Sequence, residues 1–255
     1  SAASDVYKRQ EIEGKRHICG HDVHTTIGLG IAKVLSERKN ELAGNIYFLF
    51  QPAEETMHGA QAMIDDGVLD LIQPDELYGA HVSPPQVGVI SAKPNMVYAD
   101  WHEVELTFKG TESQDSLKAL IDETMAQQER LNSDVSLKKP ENYLHPKYGI
   151  ANPDTIYKDY LIVVQTQPAK AVPENLPVRT AFLTTDTNDL EKIKRELQSA
   201  IAKSPYADRL ISIDSQQPVP AVSNDAHLTQ SALDYLQSLN DTTELSTHYG
   251  TLPFM

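Results

Sequence analysis

Cysteine is nearly absent: Cys19 is the only one in 255 residues. A disulfide within the chain is excluded, and a lone thiol fits a reducing compartment, so a cytoplasmic location is expected. Basic residues are also scarce. Twenty-two Lys and Arg stand against 36 Asp and Glu, giving a net charge of −14 with no basic stripe to offset it. Such a surface repels phosphate, which argues against a nucleic-acid partner. No run approaches the ~18 consecutive apolar residues needed to cross a bilayer. Residues Ser1–Gln10 lack the apolar core of a signal peptide. No membrane partner is expected. Repeats and low-complexity tracts are missing too. What remains is an ordinary composition, 40% apolar and 23% charged, in a chain long enough for one large domain or two smaller ones.

Residues 17–92 alternate helical and strand-like patterns, which predicts an α/β fold with a mostly parallel sheet. Thr25 and Thr26 can cap a helix whose stripe is Ile27, Ile31, Val34 and Leu35. The run Asn45 to Phe50 is short and apolar, as in a strand buried on both faces. A helix follows near Gly59 to Asp66, with Ala60, Met63 and Ile64 as its buried stripe and Gly67 as its stop. Leu77 to Val82 and Val87 to Ala92 read as further strands. From Tyr98 the texture changes to strand, helix, strand, strand, helix, strand, the order of a ferredoxin-like unit. A loop rich in Pro, Asn and Tyr, Lys139 to Thr155, lies between its first helix and second strand. The predicted organisation is therefore a mostly parallel-sheet domain (11–97, continued at 216–255, and incomplete here) with an inserted ferredoxin-like α+β domain at 98–215.

Three short clusters carry chemistry. Cys19-Gly20-His21-Asp22-Val23-His24 packs a thiol, two imidazoles and a carboxylate into six residues between a strand end and a helix start. That is where α/β folds place their sites. Thiol and imidazole favour zinc and similar metals, and Asp22 and His24 are candidates for a supporting role behind the ligands. Glu54 and Glu55 follow directly on the Asn45 to Phe50 strand. Adjacent carboxylates can divide the work, one holding metal and the other moving protons. His81 ends the next strand. Taken singly, each has a plainer explanation: a buried small cysteine, a polar helix cap, a solvated acidic loop, a core histidine.

Taken together they resemble a known family. His17 to Thr26, then Phe50-Gln51-Pro52-Ala53-Glu54-Glu55 with Gly59-Ala60 and Met63 to Gly67, then Tyr78-Gly79-Ala80-His81-Val82 are similar, in order and spacing, to motifs of the aminoacylase, hippurate hydrolase and indole-acetyl-amino-acid hydrolase family. The resemblance is close over residues 14–110. It implies a catalytic α/β domain with an inserted lid domain that often forms a homodimer. It implies two divalent metal ions (Zn, Mn or Ni) held by Cys19, His21, Glu55 and His81, with Glu54 as general base. The implied reaction is hydrolysis of an amide bond in an N-acyl amino acid or similar small amide by metal-activated water.

The chain departs from the family in four places. Only eighteen residues precede Cys19, and Ser1–Gln10 match nothing in the family. The end, Tyr249 to Met255, stops where a last His ligand is expected to follow. Truncation at both ends and poor turnover by this chain are therefore expected. Gln114 stands where the family has a lid histidine, and Lys170 where it has an asparagine; both are candidate substrate contacts. These two substitutions keep open a second reading, a catalytically degenerate relative with a binding or regulatory role. A third, a cysteine hydrolase pairing Cys19 with His21 or His24, is weaker, because residues two apart rarely aim at one reacting atom.

Overall fold

In the computed structural model the chain is described at residues 19–82, 89–131, 135–137, 139, 142–168, 174–239 and 244–253. It divides into two units, Ser1–Pro84 and Pro85–Met255.

In the first unit, helix α1 (His21–Glu37) starts at His21, ahead of the expected start at Thr25. Thr25 and Thr26 do not cap it. Their hydroxyls donate back to the carbonyls of His21 and Asp22, both at 2.8 Å. The true entry is Gly20, in the left-handed region at φ 89°, where a side chain would be strained. Helices α2 (Gly59–Asp65) and α3 (Val68–Ile72) follow, with Gly67 between them at φ 84° as the expected stop. The expected strands at 45–50 and 77–82 run without a ladder among the described residues. Most of their apolar side chains are exposed: Tyr47 is 52% and Phe50 48% accessible. The same holds for α1, which buries no residue, and for Ile64 of α2. A doubly buried strand needs neighbours on both edges and helices on both faces, and within this unit the described residues supply no flanking strand.

The second unit is well packed. Strands β1 (Val89–Ala92), β2 (Asn95–Tyr98) and β3 (Asp100–Lys109) are followed by helix α4 (Gln114–Ala126), strands β4 (Leu161–Pro168) and β5 (Asn175–Thr184), helix α5 (Asp189–Ala202), strands β6 (Leu210–Val219) and β7 (Val222–Asn224), helix α6 (Ala226–Ser238) and strand β8 (Glu244–Thr247). Strands β3 to β6 form one antiparallel sheet in the order β4-β5-β3-β6. With α4 and α5 this is the expected split βαβ arrangement. Strand β1 pairs in parallel with β8, and β2 antiparallel with β7.

Period-2 alternation puts Val104, Leu106 and Phe108 on one face of β3. Against them lie Leu117, Ile121 and Met125 of α4 and Ile193, Leu197 and Ile201 of α5, each set spaced four apart on a single helix face. The reverse face carries a second core that the sequence pattern does not announce. Tyr143, Ile150, Tyr157 and Tyr160, from the stretch read as a loop and its C-terminal flank, bury against Ile162 and Leu183. Backbone bonds from Gly149 to His145 and from Ile150 to Tyr143 fold that stretch on itself, and the Tyr160 hydroxyl donates to the Thr251 carbonyl at 3.1 Å. Covered on both faces, β5 is buried at almost every position.

Candidate metal centre

Three segments of the first unit build the site. Gly20 turns the chain from Cys19 into α1, whose first turn carries His21 and His24 three residues apart and hence on one face. The 3-10 turn Glu54–Thr56 carries the two glutamates; it is entered through Ala53 at φ 49° and left through Met57 at φ 60°. Left-handed non-glycine residues cost of order 1 kcal/mol each, so the turn is held by its surroundings. Part of that hold is Gly59, where a Cβ would overlap the Pro52 carbonyl oxygen. The third segment, 77–82, brings in His81.

Cys19 Sγ lies 3.4 Å from His81 Nε2. His21 Nε2 lies 3.3 Å from a Glu54 oxygen and 3.7 Å from a Glu55 oxygen. Cys19, His21 and His81 each offer a donor atom within 4.8 Å of the other two, and so do His21, Glu54 and Glu55; these are the triads of that kind among the described residues. His21 belongs to both. The rings of His21, His24 and His81 crowd together, with centroids 5.5, 6.0 and 4.2 Å apart.

The donors fit a divalent cation. A tetrahedral site with legs of about 2.3 Å to sulfur and 2.0–2.1 Å to nitrogen has an S–N edge of about 3.6 Å, close to the Cys19–His81 separation. His81 Nδ1 lies 2.5 Å from the Val82 carbonyl oxygen. Only the tautomer with its proton on Nδ1 can donate there, which leaves the Nε2 lone pair facing Cys19. Thiol, imidazole and carboxylate together suit zinc and its neighbours in the first transition row.

Electrostatics agree with a ligand rather than a nucleophile at Cys19. Burial, then Glu55 and Glu54, push its thiol up from the ordinary value. A nucleophilic cysteine needs the opposite shift, whereas a cation in the cluster would deprotonate the thiol outright. The histidine beside Cys19 is His81, 62 residues away in sequence, not the His21 or His24 of the cysteine-hydrolase reading. Burial, then the neighbouring His81 and His21, hold His24 below the ordinary histidine range.

The structure thus gathers Cys19, His21, Glu54, Glu55 and His81, and places His24 beside them. The first cluster is helical from His21 onward, where a loop was expected. Asp22 lies in the first turn of α1, its side chain exposed. Gln114 opens α4, exposed, in the second unit. Lys170 lies outside the described residues. Sequence reasoning missed the part played by Val82 and Gly20. The Val82 amide donates to His24 Nε2 at 3.0 Å, and a Cβ on Gly20 would overlap Val82 Cγ2. A glycine between the thiol and the first imidazole of a metal-type motif was the available signal.

A sequence model of peptidase family M20/M25/M40 matches residues 3–254. The chain belongs to peptidase family M20/M25/M40. This agrees with the peptidase-like amidohydrolase resemblance of its three motifs. Among curated relatives, the M20 chain is 46% identical over 99 residues to N-acetyldiaminopimelate deacetylase of Lactococcus lactis subsp. cremoris, a stretch covering 38% of the chain and 26% of that protein. It is 37% identical over 122 residues to the protein of the same name in Exiguobacterium sibiricum, covering 48% of the chain and 32% of that protein. The chain thus matches about a quarter to a third of the length of these relatives. Among solved structures it is similar to the YXEP protein of Bacillus subtilis, described as a dinuclear metal binding peptidase from the M20 family. There the TM-score is 0.68 at 21% identity, over 96% of the M20 chain and 60% of that one. That likeness shows the α/β M20 fold. No described helix is long and apolar enough to cross a membrane.

Proposed function

We propose that this M20 chain carries the metal-dependent amidohydrolase centre of a protein that removes the acyl group from N-acyl amino acids. Cys19, His21, Glu55 and His81 are the ligands in this reading, and Glu54 is the general base. The convergence of five donor residues from three separate segments carries it. The deacetylase relatives point to an acetylated amino acid, with N-acetyldiaminopimelate as the substrate to try first.

Two divalent ions, when bound, supply Lewis acidity at the amide carbonyl and lower the pKa of water from 15.7 toward about 7. The residues of the chain do the rest. Glu54, on its constrained turn, accepts the proton of the attacking water and returns it to the leaving amine nitrogen. His81 keeps its Nε2 lone pair aimed at Cys19 through its Nδ1 bond to Val82.

The test is hydrolysis of N-acetyldiaminopimelate and simple N-acetyl amino acids by protein loaded with Zn²⁺ or Mn²⁺. Slow release of free amine is expected, abolished by a chelator. Glu54→Gln is expected to lower kcat by about 10²–10⁴, the usual size of a general-base contribution, with metal content retained. Release that survives chelation unchanged would exclude the proposal.

A further inference from the structure

His81 lies on an extended segment with no ladder among the described residues, so something other than a sheet must fix it. Its fixed points converge on one neighbour. The Val82 carbonyl oxygen faces His81 Nδ1 at 2.5 Å, and the Val82 amide donates to His24 Nε2 at 3.0 Å. Both polar groups of the Val82 backbone are therefore engaged by imidazoles. The Val82 side chain fills the space that a Cβ on Gly20 would take, so the segment also packs on the turn next to Cys19. The rings of His24 and His81 meet edge to face at 4.2 Å.

We propose that His24 is a positioning residue: by holding the Val82 amide to the first turn of α1, it anchors the residue whose carbonyl orients His81 toward Cys19. This deepens the metal-centre reading and rests on it. His24 is not itself a ligand. Its Nε2 lone pair is occupied by the Val82 N–H, which places its proton on Nδ1. Without His24 the 77–82 segment loses its described hydrogen bond to α1. His81 keeps its bond to the Val82 carbonyl, but the pair is free to swing as a unit. Binding a cation between Cys19 and His81 must then also order that segment, and affinity falls. The contribution comes from geometry, so a side chain of similar reach that also accepts a hydrogen bond can replace the imidazole. Glutamine, whose amide oxygen reaches about as far as Nε2, is that side chain.

The experiment compares the full chain with His24→Ala and His24→Gln in a Co²⁺ titration followed by the thiolate-to-cobalt charge-transfer band. Exchange of the Val82 amide is measured by NMR on the same samples, and far-UV circular dichroism checks folding. Expected for His24→Ala is a Co²⁺ affinity about 10- to 100-fold weaker, the usual size for a residue that orients a ligand, together with faster exchange at Val82. His24→Gln is expected to recover affinity to within a few-fold of the parent and to restore protection. Parent-like Co²⁺ affinity in His24→Ala overturns the proposal, and so does a folded His24→Gln no better than His24→Ala. A parent chain that shows no thiolate-to-cobalt band refutes the metal-centre reading instead, a distinct outcome because the His24 comparison presupposes that band.

Discussion

At the scale of single residues, the site depends on backbone conformations that few side chains tolerate. Gly20 and Gly59 permit two approaches that a methyl group would block, and each sits beside a chemistry-bearing cluster. Cys19 couples the site to pH. Its thiol is held above the ordinary value by burial and by Glu55 and Glu54, yet a cation takes it as thiolate. Binding must then release that proton. Cation affinity is expected to rise with pH up to the raised thiol pKa, by up to about tenfold per pH unit for the one proton. In Cys19→Ser affinity drops and the contribution of this proton disappears. Isothermal titration at several pH values in buffers of different ionisation enthalpy checks both. A pH-independent affinity in the parent would remove Cys19 from the ligand set. The identities of these residues were legible in the sequence because four chemistry-bearing side chains were crowded into the six positions 19–24. Their partners were not. That Cys19 would meet His81 as well as His21 depends on a turn at Gly20 that spacing alone does not specify.

At the scale of elements, the sheet-and-helix part of the second unit follows closely from pattern. Helices α4 and α5 and strands β3 to β6 occur in the expected order, because one-sided burial prints a clear period on the sequence. The stretch 139–155 is the expected loop, but its burial was not legible, for a definite reason. Prolines and asparagines mark turns, but Tyr143 and Ile150 within it, with Tyr157 and Tyr160 just beyond, are core residues of the opposite face. The first-unit strands misled in the other direction, since an apolar run reports a capacity to be buried and not a neighbour that buries it. One core residue has a consequence for pH. His102 of β3 is 4% exposed, and neither ring nitrogen has a hydrogen-bond partner among the described residues. Asp100 is 4.0 Å away, and the Phe182 ring lies 5.4 Å off. Burial holds its pKa below the ordinary 6.5, against smaller opposing pulls from Asp100 and Asp189. The folded state therefore prefers neutral His102, while the unfolded chain takes up a proton near pH 6.5. The resulting stability is fully present above that pH and is lost as pH falls below it, at up to about 1.4 kcal/mol per pH unit, until the folded pKa is reached. Urea melts from about pH 7.5 to about pH 5, a window spanning that loss, are expected to show this slope in the parent and a shallower one in His102→Leu. Equal slopes would mean that His102 is not the titrating group.

At the scale of the whole molecule, the chain joins two units of different character. One is a two-faced sheet with both sides covered. Its reverse-face core is closed by the segment before β4 and by the residues after β8: the Thr251 amide donates to the Tyr157 carbonyl, and the Thr251 carbonyl accepts from the Tyr160 hydroxyl. The other unit carries a dense set of metal-type donors on helices and extended segments whose apolar side chains are exposed. The family model runs across both, so their combination belongs to the M20 pattern and is not a chance fusion. Other imidazoles exist in the second unit: His145 stacks on Tyr148, and His248 lines a cavity of about 230 Å³ with Tyr143 and Ser91. None of these joins a triad of metal-type donors among the described residues. Among the described residues, cations are therefore expected to settle in one place. The most direct measurement is anomalous diffraction from crystals of the chain grown with Zn²⁺ or Mn²⁺. Two peaks about 3.5–4 Å apart are predicted among Cys19, His21, Glu54, Glu55 and His81, with none of comparable height at His145 or His248. A map with its strongest peaks elsewhere, and no density within coordination reach of Cys19 and His81, would contradict the assignment of the metal centre.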